Sequence, residues 1–218
     1  MLADGVLPID SEILFDQYCP IDLSESNPDL KTFDVSSSSA WENYVLSLLK
    51  RNNAKVAYGG YLEVRNLYDR SDYFQAMAED DKRKIHLGID FWCEDGTDIC
   101  AFLDGQVHSF ANNKNYGDYG PTIILEHKIG SEILYSLYGH LSEASIETLE
   151  IGQKIEIGQN FATLGTSEIN GDYAPHLHFQ IIRDLQGKSG DYPGVCSKNT
   201  LGFFKENCPN PALLITEL

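Results

Sequence analysis

The sequence predicts a mainly β fold, a barrel or sandwich of short strands preceded by one amphipathic helix. Two observations carry this expectation. From Val56 onward, glycines at 88, 96, 105, 117, 120, 130, 139, 152, 158 and 165 punctuate the chain at the spacing of turns in an all-β architecture. Between them lie short runs such as Tyr61-Leu62-Glu63-Val64 and, more loosely, Thr122-Ile123-Ile124-Leu125-Glu126, which alternate as half-buried strands do. The chain has 218 residues, 42% of them hydrophobic and 11% aromatic, enough for one good-sized core with a small appended layer.

The elements follow in order. Residues 1–38 are irregular and acidic, with Pro8, Pro20 and Pro28 and a serine run from Ser36 to Ser39. Ser39-Ala40-Trp41-Glu42 reads as a capping box, in which hydroxyl and carboxylate satisfy each other's end of a helix. Trp41, Tyr44, Val45, Leu48 and Leu49 then recur at helical spacing, which predicts an amphipathic helix over 40–52 with its apolar stripe in the core. Within the β zone, Glu150-Ile151-Gly152-Gln153 is echoed by Glu156-Ile157-Gly158-Gln159, two turn-and-strand units in succession. Only Ser142 to Leu149 looks helical there. The tail beyond Leu185, with Pro193, Gly194, Pro209 and Pro211, is expected to be loop-rich and to end in Leu213-Leu214-Ile215. This gives an N-terminal extension over 1–70, a core over 71–187 and a C-terminal tail over 188–218 packed on that core.

Charge narrows the partners. Sixteen Lys and Arg against 33 Asp and Glu give a net charge of −17, which repels nucleic-acid phosphates and anionic membranes. No stretch approaches the ~18 apolar residues of a membrane helix, and the first ten residues lack the basic flank and apolar run of a secretory signal. The chain as it stands is expected to stay in the cytoplasm; a removed leader would place it in the periplasm or outside the cell. Cys19, Cys93, Cys100, Cys196 and Cys208 form an odd set without a CxxC pair, which argues against a thiolate zinc site. Cys93 and Cys100 flank the Glu94-Asp95-Gly96 turn and could face each other across a hairpin, but reduced, partly buried thiols are the expectation.

The histidines carry the chemistry. In His86-Leu87-Gly88-Ile89-Asp90, side chains four apart on a strand share a face, so imidazole and carboxylate can reach one ion. In His176-Leu177-His178-Phe179-Gln180-Ile181 two imidazoles share a face while Leu177 and Phe179 point into the opposite layer. The third context is Tyr138-Gly139-His140-Leu141, at the end of the alternating run from Ile133. Catalytic zinc takes three N or O ligands and keeps one position open, and two His with one Asp fit that count. Five His and Asp side chains are candidates, so two are left over as general base and transition-state hydrogen-bond donor.

Over residues 83–184 the chain resembles the LytM/lysostaphin-type metallopeptidases, which include many peptidoglycan endopeptidases. The landmarks are His86-Gly88-Asp90 for HxGxD, then Gly96-Thr97 and Asp104-Gly105-Gln106-Val107, and Tyr119-Gly120 before the long alternating strand. Tyr138-Gly139-His140-Leu141, the paired turns Gly152-Gln153 and Gly158-Gln159, Gly165, and Pro175-His176-Leu177-His178-Phe179 complete the set. The resemblance implies a duplicated half-barrel of antiparallel sheets with zinc (Zn2+) in a groove. It implies that His86, Asp90 and His178 bind the metal while His140 and His176 serve catalysis. It implies a zinc endopeptidase or amidase acting on a peptide or peptidoglycan fragment. No HExxH helix is present to supply a glutamate base.

The region from Gly59 to Tyr68 and the tail around Asp191-Tyr192-Pro193-Gly194 also look like peptidase-like modules fused to phosphotransferase and aminotransferase domains. That likeness puts peptidoglycan in doubt as the substrate, and the missing leader with the strong acidity motivates an alternative, a metal-binding regulatory module acting through a protein partner. A third reading, a phosphocarrier with two close histidines, is opposed by Asp90 and the HxH close. His108 and His127 read as surface or hydrogen-bonded histidines, and Arg83 as either a substrate-carboxylate ligand or a surface ion pair. The N-terminal zone could overlie the groove, although packing on the back of the core is the simpler expectation.

Overall fold

The computed structural model describes residues 5–66 and 79–215; the expected boundary at 70/71 and Tyr68 lie outside them. In chain order the strands and helices are β1 (Tyr18–Pro20), α1 (Ser38–Asn52), β2 (Val56–Gly59), β3 (Ile85–His86), β4 (Ile89–Trp92), β5 (Asp98–Cys100) and β6 (Gly105–Asn113). There follow β7 (Gly120–Ile129), β8 (Glu132–Gly139), α2 (Ala144–Glu147), β9 (Lys154–Ile155), β10 (Asn160–Thr163), β11 (His176–Ile182), β12 (Val195–Cys196) and α3 (Leu201–Asn207). The fold is mainly β with antiparallel sheets. Eight strands form one sheet in the order β1-β2-β4-β11-β8-β7-β6-β9, beside the pairs β10-β5 and β12-β3. The large sheet begins at β1 and ends at β9, so it is open rather than a closed barrel. Its one parallel pairing, β1 with β2, is made possible by the crossover through α1.

Alternation decides which side chains meet where. On β11, Leu177, Phe179 and Ile181 join Ile89 and Phe91 of β4 and Tyr138 of β8 in the main core. Burying Leu177 and Phe179 completely stabilises the fold by about 1.5–3 kcal/mol each. The opposite face of the same strand carries His176, His178 and Gln180. The two strips cannot exchange without flipping every side chain of β11.

Several expectations are corrected. The helix begins at Ser38 and its cap is Ser37, whose hydroxyl accepts from the Ala40 N–H at 3.3 Å, so Ser39 and Glu42 do not form a capping box. The earlier start places Ser38 where its hydroxyl donates to Asp172 at 2.8 Å, tying α1 to the loop before β11. The stripe is as expected: Trp41, Val45 and Leu49 are buried with Ile21, Leu23, Ala57 and Trp92. The run Tyr61–Val64 is not a strand, because Leu62 takes a left-handed conformation (φ 57°) and only Val64 bridges to Ile85. The strand of this region is instead β2, paired with β4. The tail contains α3, which packs Leu201 and Phe204 against a buried cluster that includes Leu137, Ile182 and Tyr192. The two Gly-Gln echoes are alike in detail. Glu150 N–H donates to Gln153 Oε1 and Glu156 N–H to Gln159 Oε1.

All five cysteines are free and buried. β5 pairs with β10 and not with β4, so Cys93 and Cys100 are not hairpin partners. Burial pushes both thiols up to about 12, which keeps them protonated and unreactive. Among the described residues no helix is long and apolar enough to cross a membrane.

Candidate metal centre and groove

Strand register assembles the centre. On β11, His178 lies opposite Asp90 of β4 on one side and opposite Gly139 of β8 on the other, and His176 lies opposite Trp92. His86 arrives from β3, separated from β4 by Leu87-Gly88. The result is a tight triangle. His86 Nε2 lies 2.8 Å from His178 Nδ1, and Asp90 Oδ1 lies 3.2 Å from each. All three residues are buried, and among the described residues this is the group arranged to hold a metal ion.

The other atom of each ligand candidate is already engaged. His86 Nδ1 donates to the Gly60 carbonyl at 3.0 Å, and His178 Nε2 donates to Gln180 Oε1 at 2.9 Å. The Gln180 amide is oriented by its own donations to the Pro193 carbonyl and to Cys208 Sγ. With these protons placed on the outer nitrogens, His86 Nε2 and His178 Nδ1 face each other as bare lone pairs, with a carboxylate oxygen beside both. Burial, then the Arg65 charge, lowers the His86 pKa to about 4, so the imidazole is neutral at pH 7. Burial would raise the Asp90 carboxyl. The Arg65 guanidinium against its other oxygen works the opposite way, and the carboxyl is held well below the ordinary carboxylate range. Two imidazole nitrogens and a carboxylate oxygen turned toward one point suit a divalent cation, and the N/N/O composition suits zinc.

Gly88 makes the triangle possible. A Cβ at this position would sit 2.6 Å from the Phe179 carbonyl and 2.9 Å from the His178 ring, so a side chain would push β11 away from β3. Gly88→Ala is expected to destabilise the protein by about 1–3 kcal/mol through overpacking. It should weaken metal binding beyond that loss, read by denaturant unfolding beside a zinc titration.

His140 and His176 stand together next to the triangle, ring centroids 4.2 Å apart. His140 Nδ1 donates to the Asn170 carbonyl and His176 Nδ1 to the Ala174 carbonyl, both at 2.8 Å, which leaves Nε2 of each ring as the proton acceptor. Burial lowers both pKa values, His176 to about 4 and His140 well below the ordinary imidazole range, the neighbouring His176 acting in the same direction. His140 has a left-handed backbone (φ 64°), a conformation that costs a non-glycine residue about 1–3 kcal/mol and is held by bonds to Tyr119 and Gly165. Trp92 stacks on His176 at 3.9 Å and 14°, and Trp41 of α1 stacks behind Trp92 at 6.2 Å and 19°.

His86, Asp90, His178, His140 and His176 line one groove of about 670 Å³. Arg83, Asp118, Tyr119, Lys188, Asp191 and Tyr192 line it as well. The structure therefore brings together all five residues picked from the motifs, and places Arg83 on the same groove. His127 lies elsewhere, buried between the Asp104 carbonyl and Ser136, and half-buried His108 bonds Ser109. Among the described residues before 79, Arg65 alone lines the groove, so α1 does not cover it. Sequence reasoning passed over Arg65 and Gln180. Gln180 was visible as the next residue on the His176–His178 face; Arg65 has no motif to announce it.

Residues 84–191 match the model of peptidase family M23. Through this segment the chain belongs to that family. The chain is also similar to a Haemophilus influenzae protein described as an uncharacterized metalloprotease, 33% identical over 95 residues, 44% of this chain. The match spans only 18% of that relative's length. The catalytic domain of the antimicrobial peptidase lysostaphin from Staphylococcus simulans aligns over 56% of this chain and 80% of its own, with 23% identity and a TM-score of 0.38. A zinc-containing peptidase from Vibrio cholerae aligns over 45% of this chain and 27% of its own, with 26% identity and a TM-score of 0.37.

Proposed function

We propose that this M23 metallopeptidase is a zinc-dependent endopeptidase or amidase that hydrolyses peptide bonds, peptidoglycan-derived peptides among its substrates. His86 Nε2, Asp90 Oδ1 and His178 Nδ1 are assigned to the metal. The observation that carries this reading is the convergence of three lone pairs within 3.2 Å, each ring's second nitrogen being tied to a carbonyl. A zinc ion there supplies a Lewis acid for the scissile carbonyl and acidifies a water.

The chain's own groups do the rest. His176 and His140, neutral at pH 7, hold their Nε2 atoms as acceptors and take the proton of the attacking water. Whichever ring has gained it then donates to the developing oxyanion or the leaving amine. Arg83 and Lys188, with Asp118 and Asp191, give the groove lining both signs of charge for the polar groups of a peptide. The groove's burial of the two histidines keeps their protons from exchanging freely with bulk solvent.

The test is metal content by elemental analysis of the purified protein, followed by incubation with a panel of glycine-rich and D-alanine-containing peptides. One zinc per chain and chelator-sensitive cleavage are expected. Bound zinc without cleavage of any peptide would favour the regulatory module instead, and no zinc after reconstitution would remove the metal reading altogether.

A further inference from the structure

Resting on that assignment of ligands, we infer that Arg65 is a positioning residue of the metal centre. It holds Asp90 to ligation through one oxygen, and so makes the segment before the family match part of the site.

Arg65 is 1% exposed although it is a full cation. Its Nη1 donates to Asp90 Oδ2, the carboxylate oxygen turned away from the two imidazoles. Its Nε donates to Glu63 Oε2 at 2.6 Å, and Glu63 Oε1 in turn accepts the Leu23 N–H at 2.8 Å. The backbone of this segment is fixed to β3 as well: Leu62 N–H donates to the His86 carbonyl and His86 N–H to the Glu63 carbonyl. Gly60, at φ 108°, gives its carbonyl to His86 Nδ1, and a Cβ there would collide with the Arg65 guanidinium. One short stretch, Gly60 to Arg65, thus sets the orientation of two of the three ligands, and it lies wholly before residue 84.

The chemistry follows from the fork. A carboxylate with one oxygen bound to a guanidinium offers the metal only the other. Single-oxygen ligation fits a small four-coordinate ion such as zinc, whereas larger ions of higher coordination number gain from a second oxygen. Charge and orientation act in opposite senses here. Removing Arg65 alone would strip a cation from beside a cation and strengthen attraction for any metal, masking the loss of alignment. Two carboxylates and one guanidinium leave one net negative charge. Glu63→Gln with Arg65→Met keeps that value while freeing Asp90 Oδ2, and Arg65→Lys keeps it while replacing the fork by a single ammonium.

The experiment measures dissociation constants for zinc and for manganese on the full chain by chelator competition, with circular dichroism to verify folding. The wild type is read first: if it binds no zinc, the ligand assignment fails and this inference with it. Given zinc in the wild type, the double variant is expected to bind it about 10–100-fold more weakly, the usual consequence of losing an outer partner of a metal ligand. Its preference for zinc over manganese should fall as well. Arg65→Lys, read if the double variant does not fold, should change both in the same direction. Unaltered affinity and preference in a folded variant would overturn the inference while leaving the zinc reading intact. Unfolding of both variants would also overturn it, since Arg65 would then be required for the fold itself.

Discussion

Protein purified with His178→Ala is expected to carry no zinc, where the wild type carries one ion per chain. The substitution removes Nδ1, one of three donors, and leaves His86 and Asp90 as a two-ligand remnant that cannot compete with solvent and chelators. It also removes the ring N–H that Gln180 Oε1 accepts, so the outer partner loses its anchor. His86→Ala should behave alike, because its Nε2 occupies the same triangle. Elemental analysis of the variants beside the wild type reads the result. A different pattern, with zinc retained in His178→Ala and lost in His176→Ala, would exchange the proposed roles of the two strand histidines.

With His176→Ala, zinc should stay and turnover should fall by about 10²-fold or more, the scale of a lost acid–base group. The ring stands on the same strand face as His178 but donates Nδ1 to the Ala174 carbonyl and packs flat on Trp92, outside the metal triangle. Its removal therefore leaves the three donors in place. His140→Ala is expected to give the same separation of metal content from rate. Measuring zinc content and peptide cleavage on the same preparation decides it. Equal loss of metal and activity would mean that the second pair of histidines is also part of the ligand set.

Much of this arrangement could be read from local patterns because strand periodicity is rigid. His176-Leu177-His178-Phe179 announces two polar residues on one face and two apolar ones on the other, and β11 obeys this with Leu177 and Phe179 fully buried. His86-Leu87-Gly88-Ile89-Asp90 pairs its imidazole and carboxylate by another route than a shared strand face. The segment is not one continuous strand; it breaks at Gly88, and close approach of β11 to that glycine brings His86 and Asp90 together. What escaped the sequence depends on long-range geometry. Arg65 reaches Asp90 across 25 residues through a stretch whose alternation suggests a strand but whose left-handed Leu62 makes a loop. The helix starts before Ser39 because Ser37 supplies the cap, and a tertiary bond from Ser38 to Asp172 anchors that end. α3 is only seven residues long, too short for periodicity to outweigh the prolines and glycine around it.

The stack of Trp41 on Trp92 on His176 has a practical consequence. These are the only two tryptophans in the chain, so its entire indole emission originates within one ring of a proposed catalytic histidine. Whatever tilts that imidazole, protonates it or settles against it alters the light given off, and the untouched protein reports on its own groove without a dye.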